Sequence, residues 1–182
     1  VPVPMGDLHI TFAGTVEIPA RVEYIHPLHN LAMLSYDPKL IGDTPVRAAT
    51  LLDRELVAGD QVWAVGLGPD SKMKSQSVIV ASLDPMLLPL SRTLQFREAN
   101  LETINLVNGP SDFDGVLVDK QGRVLSTWSS FAFESGREVQ QTNRGIPADV
   151  LIEMLPRVQQ DLPLYSLEAE FAPVSLAKAR EM

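Results

Sequence analysis

The strongest constraint in the sequence is a hairpin pattern in its second half, between residues 116 and 128. A short apolar run, 116–118, is followed by the polar segment 119–122 and then by a second apolar-rich segment, 123–128. Gly122 lies at the end of the polar segment, where a tight hairpin needs a residue that tolerates positive φ. The pattern therefore predicts two antiparallel strands joined by a turn at Gly122.

Strand patterns also dominate the rest of the chain. Leu8, Ile10 and Phe12 alternate with polar residues, which is the period of a half-buried strand. Pro19 interrupts the next strand pattern and predicts an edge or a bulge there. Further strands are predicted at 16–24, 31–36, 56–66, 77–83, 92–102 and 165–171.

Two other segments have different patterns. The polar residues 129–144 predict a long loop, and a helix is predicted to begin at 145–147. Pro156 is expected to kink or end that helix. One apolar helix face is predicted from Ile146, Val150, Leu151, Met154, Leu155 and Val158.

Composition excludes several classes of function. The net charge is −8 and the basic residues are not clustered, so nucleic-acid binding through a basic face is not expected. The chain has no cysteine, which excludes disulfides, thiolate zinc sites and thiol nucleophiles. No apolar run is long enough to span a membrane. At 182 residues, with 45% apolar residues, the chain can form a sizeable core.

Four segments in order resemble the trypsin-like serine proteases of the HtrA/Deg family. Residues 115–118 and 122–125 resemble the hairpin that follows the family's serine loop, G-N-S-G-G-P. The resemblance spans about residues 8–182 and implies that family's fold. It is strongest with the second, degenerate protease-like repeat of double-length HtrA-like proteins, in which the first repeat is catalytic. The other three segments are 30–34, which resembles D-L-A-V-L; 56–66, which resembles L-R-V-G-D-W-V-V-A-I-G; and 145–147, which resembles G-F-A-I-P.

The resemblance assigns positions to the catalytic residues, and this chain departs from the family at the aspartate and serine positions. Asn30 occupies the position of the aspartate that orients the catalytic histidine. In serine proteases that exchange lowers turnover by about 10⁴-fold, because asparagine cannot stabilise the imidazolium. Counted without gaps, the serine position falls on Phe113, and Ser111 is a displaced nucleophile only if two residues are inserted after it. The histidine position is expected to precede Val1.

The loop around Ser111 also differs from a serine-protease loop in its chemistry. An oxyanion hole needs backbone N–H groups in a tight, glycine-rich turn, whereas Asp112, Phe113 and Asp114 follow Ser111 here. We interpret Ser111 as a turn residue and expect no catalytic residue in this chain.

The three histidines are His9, His26 and His29. His9 is expected on the outer face of a strand, and the other two flank a turn. His26 and His29 have a spacing that two metal ligands can use, but no third ligand is suggested nearby, so we expect no metal site. No cofactor is expected. Trp63 and Trp128 are expected in the core.

The sequence thus predicts a mainly β protein, a trypsin-like double antiparallel β-barrel with an incomplete first barrel. Its protease-fold domain is expected at 1–160, with the first-barrel remnant at 1–45, the second barrel at 46–144 and a C-terminal helix at 145–160. Residues 161–182 are expected to be a linker and the start of a PDZ domain, so that the chain ends within that domain. Strands missing from the first barrel are expected to come from upstream residues or from a neighbouring chain.

The predicted function is that of a pseudoprotease domain with a structural, assembly or peptide-interaction role in protein quality control. The expected partners are unfolded or peptide segments, further copies of the chain in a homo-oligomer, and PDZ and protease domains of the same protein. One alternative is an active serine endopeptidase that uses Ser111 and an upstream histidine. Another is a β-rich domain that binds an unknown ligand. The compartment is left open, with an extracytoplasmic or periplasmic location favoured if the protein is bacterial.

Overall fold

The computed structural model describes residues 7–12, 14–26, 29, 31–86, 101–135, 138–163 and 180. Within them the chain forms nine strands, one short 3-10 turn at Pro38–Ile41 and one long helix. The strands are β1 His9–Phe12, β2 Val16–Ile25, β3 Ala32–Tyr36, β4 Gln61–Leu67, β5 Met73–Met86, β6 Leu101–Val107, β7 Asp114–Val118, β8 Val124–Ser135 and β9 Glu138–Arg144; the helix, α1, is Ala148–Gln159.

Six strands form an antiparallel barrel in the order β6-β5-β4-β7-β8-β9. The barrel closes where Ile104 of β6 meets Gly145, just after β9. These two residues exchange backbone hydrogen bonds of 2.9 and 3.0 Å. Closure satisfies strand edges that an open sheet would leave exposed.

The inward-facing side chains of the barrel form the main core. Apolar residues alternate along β4, where Val62 and Ala64 are fully buried between more exposed neighbours. This is the period-2 pattern that the strand geometry requires. The main core consists of Leu56, Val62, Ala64, Val78, Val80, Ile104, Phe113, Leu117, Leu125 and Trp128.

The predicted turn between β7 and β8 is confirmed. Gly122 has φ +77°, and its N–H donates to the Asp119 carbonyl at 3.0 Å. The Asp119 carboxylate accepts from the backbone N–H groups of Gln121 and Arg123, both at 2.9 Å. The buried Asp119 side chain therefore stabilises this turn through hydrogen bonds to the turn's own backbone.

A smaller antiparallel sheet, β1-β2-β3, precedes the barrel. Pro19 pairs with His9 of β1, whereas pairing with β3 begins only at Ala20. Pro19 thus lies at an edge on its β3 side, as predicted, and the register shift of β2 occurs later, between Val22 and Tyr24.

A second apolar cluster connects the small sheet with the barrel and the helix. It contains Met86, Phe131 and Ile146, with Leu31 and Val150 packed against it. Leu31 precedes β3 and Val150 lies in α1. This cluster therefore attaches the segment before β3 to the barrel end that carries α1.

Helix α1 begins one residue after Pro147 and extends three residues beyond Pro156. Met154 of the predicted apolar face is buried, but Leu155 is 40% exposed. The predicted face is therefore too wide, because α1 lies on one end of the barrel and only part of its circumference is covered.

The prediction of a loop at 129–144 is wrong. Residues 129–135 form the second half of β8 and residues 138–144 form β9, and the two strands pair from Ser129↔Arg144 to Ser135↔Glu138. Phe131 is buried, whereas Gln140 is exposed. Polar side chains are tolerated here because one side of the ladder faces solvent. The residues form strands because they pair with each other, although their local sequence does not favour strands.

Several predictions lie outside the described residues. They concern Asn30, the part of the predicted 92–102 strand before residue 101, and the PDZ segment from residue 164 apart from residue 180. In the part of the chain that the structure describes, no helix is long and apolar enough to cross a membrane.

Candidate functional site

The segment 108–113 joins β6 to β7 and contains the position predicted for a nucleophilic serine. It begins at Asn108, which has a φ of +53°, and the Asn108 carbonyl accepts a hydrogen bond from Gln76 Nε2 at 3.1 Å. A Cβ added at Gly109 would lie only 2.9 Å from Trp128 Cζ2. Glycine is therefore favoured at residue 109, because a Cβ there would clash with the indole ring and, at the same distance, with the Leu106 Cβ.

Trp128 fixes the middle of this loop. Its side chain is 2% exposed, and its Nε1–H donates to the Pro110 carbonyl at 2.9 Å. Pro110 is itself buried. A buried indole N–H needs such an acceptor. This hydrogen bond therefore holds the loop against the core and satisfies the polar group of Trp128 within it.

Phe113 turns inward and belongs to the main core, with 7% of its surface exposed. Across the β4–β7 ladder lies Gly66, where an added Cβ would be 2.7 Å from Phe113 Cδ2 and 2.0 Å from the Asp114 carbonyl oxygen. Gly66 thus makes room both for the phenyl ring and for the close approach of β7. The position predicted for the nucleophile is filled by a core side chain.

Ser111 and Asp112 are both exposed. The Asp112 carboxylate lies 2.5 Å from Lys74 Nζ on β5. Their hydrogen bond is the main reason why the pKa of Asp112 is lowered and that of Lys74 is raised. Asp114 accepts from the backbone N–H of Ser130 at 3.0 Å. Both acids that flank Phe113 are therefore matched with local donors.

The histidines lie on the small sheet and the segment that follows β2. His9 Nδ1 is 3.8 Å from a carboxylate oxygen of Glu17, its near neighbour across the β1–β2 ladder. His26 is 6% exposed, and its Nδ1 accepts from the His29 backbone N–H at 3.0 Å. The two imidazole rings are 4.5 Å apart, and the Tyr24 ring meets the His26 ring edge-on at 6.2 Å.

Burial lowers the pKa of both His26 and His29 because it disfavours the charged imidazolium. For His29 the pKa falls from 6.5 to about 4, with repulsion from His26 adding to the effect and Asp149 opposing it. For His26 the opposing charge is Glu153. Both rings are therefore neutral at pH 7.

A cavity of about 310 Å³ lies between this histidine pair and α1. Its polar lining comes from the two histidines, from Asp53, and from Asp149 and Glu153 on α1. None of its lining residues belongs to the loop 108–113, so this cavity does not bring the histidines together with Ser111. Among the described residues, no group of three metal-ligating side chains has a geometry that could hold a metal ion.

His26 and His29 were predicted to flank a turn, but their position across a cavity from α1 was not predicted. One signal was available in retrospect. Asp149 and Glu153 are four residues apart, a spacing that places two side chains on one face of a helix.

No protein-family model matches the chain, but curated proteins match its full length. It is 35% identical over 189 residues to the PDZ domain-containing protein C23G3.12c of Schizosaccharomyces pombe, covering 100% of this chain and 19% of that protein. It is 32% identical over 207 residues to Protease Do-like 7 of Arabidopsis thaliana, covering 99% and 19%. The pro-apoptotic serine protease NMA111 of Pyricularia oryzae is 27% identical over 190 residues, covering 100% and 18%. The chain thus spans about a fifth of the length of these relatives.

Solved structures share the fold at lower identity. The inactive form of Rv3671c from M. tuberculosis superposes with a TM-score of 0.55 at 16% identity, covering 85% of this chain and 71% of that one. The HtrA-type protease AlgW with a decapeptide gives 0.52 at 20% identity, covering 79% and 41%. The protease domain of MamO from Magnetospirillum magneticum gives 0.54 at 22%, covering 75% and 67%.

These neighbours confirm the predicted mainly β, trypsin-like protease fold with a C-terminal helix. Together with the full-length sequence matches, they confirm the resemblance on which the site positions were assigned. The chain is therefore homologous, over its whole length, to a segment of the HtrA-like serine proteases that contain PDZ domains.

Proposed function

We propose that this chain is a catalytically silent protease-fold domain, a pseudoprotease, within a larger HtrA-like protein. The observation that carries the proposal is the burial of Phe113 at the position assigned to the nucleophile. A serine nucleophile must face both its substrate and a general base. A phenyl ring packed inside the barrel meets neither requirement and anchors the loop to the core instead.

The surroundings of Ser111 support the same conclusion. Ser111 lies between Pro110, which is held by Trp128, and Asp112, which is paired with Lys74. A carboxylate beside the reacting carbonyl opposes the negative charge that an oxyanion hole has to stabilise. The assignment of Asn30 to the orienting position follows from the resemblance and removes the charge that would stabilise a histidinium.

Serine endopeptidase activity through Ser111 is the competing function. Its motivating observation is that Ser111 is the exposed serine of this loop. The two functions are separated by measuring casein hydrolysis by the intact protein and by its Ser111→Ala variant. We expect the rates to agree within about twofold, because an exposed turn serine contributes little to fold or chemistry. Loss of hydrolysis in the Ser111→Ala variant would establish the competing function.

For the biological role we propose binding of extended peptide segments by strand addition, in the context of protein quality control. The outer strands of the small sheet, β1 and β3, support this role, because an outer strand offers backbone donors and acceptors to an added strand. Hydrogen exchange of the intact protein with and without an unfolded casein fragment tests it. We expect slower exchange in β3 and unchanged exchange in β4, which lies inside the barrel sheet and serves as the control.

A homo-oligomeric assembly is part of the same proposal and rests on the resemblance alone. Light scattering on the intact protein measures it directly. A mass equal to one chain at micromolar concentration contradicts this part of the proposal and leaves the catalytic argument unaffected.

A further inference from the structure

We propose that two adjoining cavities beside the start of α1 bind a peptide segment of another protein, in which a lysine or arginine lies close to an aliphatic residue. The cavities are bordered by the segment 52–56 and by the first turns of α1. Their described lining contains no residue of the loop 108–113 and none of β3. The site is therefore independent both of catalysis at Ser111 and of strand addition at β3.

The smaller cavity, called here the apolar cavity, has a volume of about 110 Å³. Leu56, Ile104 and Leu125 of the main core line it. Leu52 and Leu83 complete its apolar wall and are only half-buried. Water occupies about 30 Å³ per molecule in the liquid, so the cavity has the size of a few waters. One aliphatic side chain fits this volume and would cover apolar surface that is now in contact with water.

The larger cavity, called here the acidic cavity, is the space of about 310 Å³ between the histidine pair and α1. Its carboxylates belong to Asp53, Asp149 and Glu153. Glu153 is paired with Arg157 at 3.3 Å, so the uncompensated charge lies on the two aspartates. Burial lowers the pKa of both histidines, so the imidazoles are neutral at pH 7 and do not offset that charge. The volume is at the lower end of the range of about 300–1,000 Å³ found for ligand pockets.

The two cavities meet at a pair of carboxylates. Asp53 and Asp149 line both of them. Both aspartates are exposed, and neither forms an ion pair with any described residue. A ligand that fills the apolar cavity with one side chain can therefore bring a neighbouring cationic group to Asp53 and Asp149.

The charge around the apolar cavity favours the same kind of ligand. Glu55 and Glu102 add two exposed carboxylates to its lining. Arg54 is the one basic residue among the described lining residues, and its guanidinium is already paired with Asp60 at 2.7 Å. An anionic ligand would be repelled here, whereas a cationic ligand would be attracted.

The cation is organic, because no three ligating side chains among the described residues could hold a metal ion. A lysine or arginine side chain carries several N–H donors and can therefore bond to more than one carboxylate. A peptide also supplies a second side chain, at a distance fixed by its backbone, for the apolar cavity. A polyamine or free arginine has no such second side chain, so a peptide segment matches both cavities best.

Both walls of the site are held by the barrel, so the site is largely formed before a ligand binds. The Leu52 N–H donates to the Val124 carbonyl at 2.8 Å, and Leu56 is buried in the core. On the opposite side, Pro147 forms a bridge with β8, and Ala148 is buried at the start of α1. Binding to a preformed site loses less conformational entropy than binding that has to order its own walls.

Fluorescence anisotropy of the labelled peptide Gly-Arg-Leu-Arg-Leu-Gly with the intact protein tests the site. We expect saturable binding with a Kd on the order of 100 µM, weakened at least threefold when salt is raised from about 50 to about 300 mM. Exchange of both arginines for glutamate, or of both leucines for glycine, should weaken binding by roughly tenfold or more. Absence of saturable binding up to about 5 mM overturns the proposal, as does equal binding of the three peptides.

A double variant, Asp53→Asn with Asp149→Asn, removes the charge that the two cavities share. Asparagine keeps the side-chain size, and at residue 149 it can still accept the Val150 N–H as the aspartate does at 2.8 Å. We expect the Kd to rise roughly tenfold. Asp43→Asn is the matched control, because Asp43 is exposed and lines neither cavity, and its Kd should stay within about twofold. Equal affinities of the double variant and the control contradict the site.

Hydrogen exchange of the intact protein with and without the same peptide locates the bound segment. We expect slower exchange in 52–56 and 148–154 and unchanged exchange in β3. Slower exchange in β3 alone overturns this site and matches strand addition instead. Protection confined to any other part of the chain also overturns it.

Discussion

Replacement of Phe113 by alanine tests whether the position assigned to a nucleophile is part of the core. Phe113 is 7% exposed and packs over Gly66 inside the barrel. Burying a phenylalanine contributes about 1.5–3 kcal/mol by transfer from water. A residual cavity of roughly 50 Å³ adds about 1 kcal/mol, at about 24 cal/mol per Å³. We therefore expect the barrel to lose about 3.5 kcal/mol of its free energy of unfolding.

Native-state hydrogen exchange of the most protected amides in β4 measures this loss within the intact protein. A destabilisation of about 3.5 kcal/mol raises their exchange by about 300-fold, since each 1.4 kcal/mol is a factor of ten. Phe113→Leu keeps most of the apolar volume and is expected to cost less than about 1.5 kcal/mol. Ser111→Ala, at an exposed position in the same loop, is the matched control and should stay within about 0.5 kcal/mol.

A change in β4 exchange for Phe113→Ala that is no larger than the change for Ser111→Ala would refute the assignment of Phe113 to the core. That result would mean that the phenyl ring contributes nothing to the core and that the loop is free to adopt another conformation. The burial of Phe113 would then no longer argue against a nucleophile at this position.

Three further predictions follow from the same barrel. Gly66→Ala should destabilise it by more than about 2 kcal/mol, because the added Cβ would lie 2.0 Å from the Asp114 carbonyl oxygen; β4 exchange measures this. Trp128→Phe removes the donor to the Pro110 carbonyl and should cost about 1 kcal/mol, visible as faster exchange in 108–113. Burial raises the pKa of Asp119, but hydrogen bonds from the arginine four residues later and from the turn amides outweigh it, so the pKa is lowered. Asp119 therefore stabilises the hairpin above its unfolded pKa of about 3.9, and this stabilisation is lost as the pH falls below that value. We expect amide exchange in 119–124 of the unmodified protein to speed up over that pH range, and Asp119→Asn to abolish this pH dependence.

Local chemistry made the β7–β8 hairpin predictable from the sequence. A polar four-residue segment that ends in Gly122 allows few structures between two apolar runs, and the turn forms where it was predicted. The strands β1 to β3 were predictable for the same reason, because their alternation is read from adjacent residues.

The β8–β9 ladder could not be predicted in this way. Its residues are largely polar, and they become strands because β8 continues the barrel and β9 returns to meet β6. Barrel closure between Ile104 and Gly145 joins residues about forty positions apart. Pairing of this kind depends on the whole fold and leaves little trace in a local pattern.

The position assigned to the nucleophile stays a prediction from the resemblance, and the structure around it could not be predicted from the sequence. The family resemblance identified Phe113 by counting from the hairpin, whereas its burial over Gly66 required the β4–β7 register. The position of His26 and His29 across a cavity from Asp149 was not predicted, because it depends on where α1 lies in the fold.

The most direct test of the central claim is labelling of the intact protein with a fluorophosphonate probe, followed by peptide mapping. Such probes react only with a serine that is activated by a base and an oxyanion hole. We predict no label on Ser111, whether or not a serine elsewhere in the protein is labelled. A label on Ser111 that disappears in Ser111→Ala would contradict the account and show that this loop holds a working nucleophile.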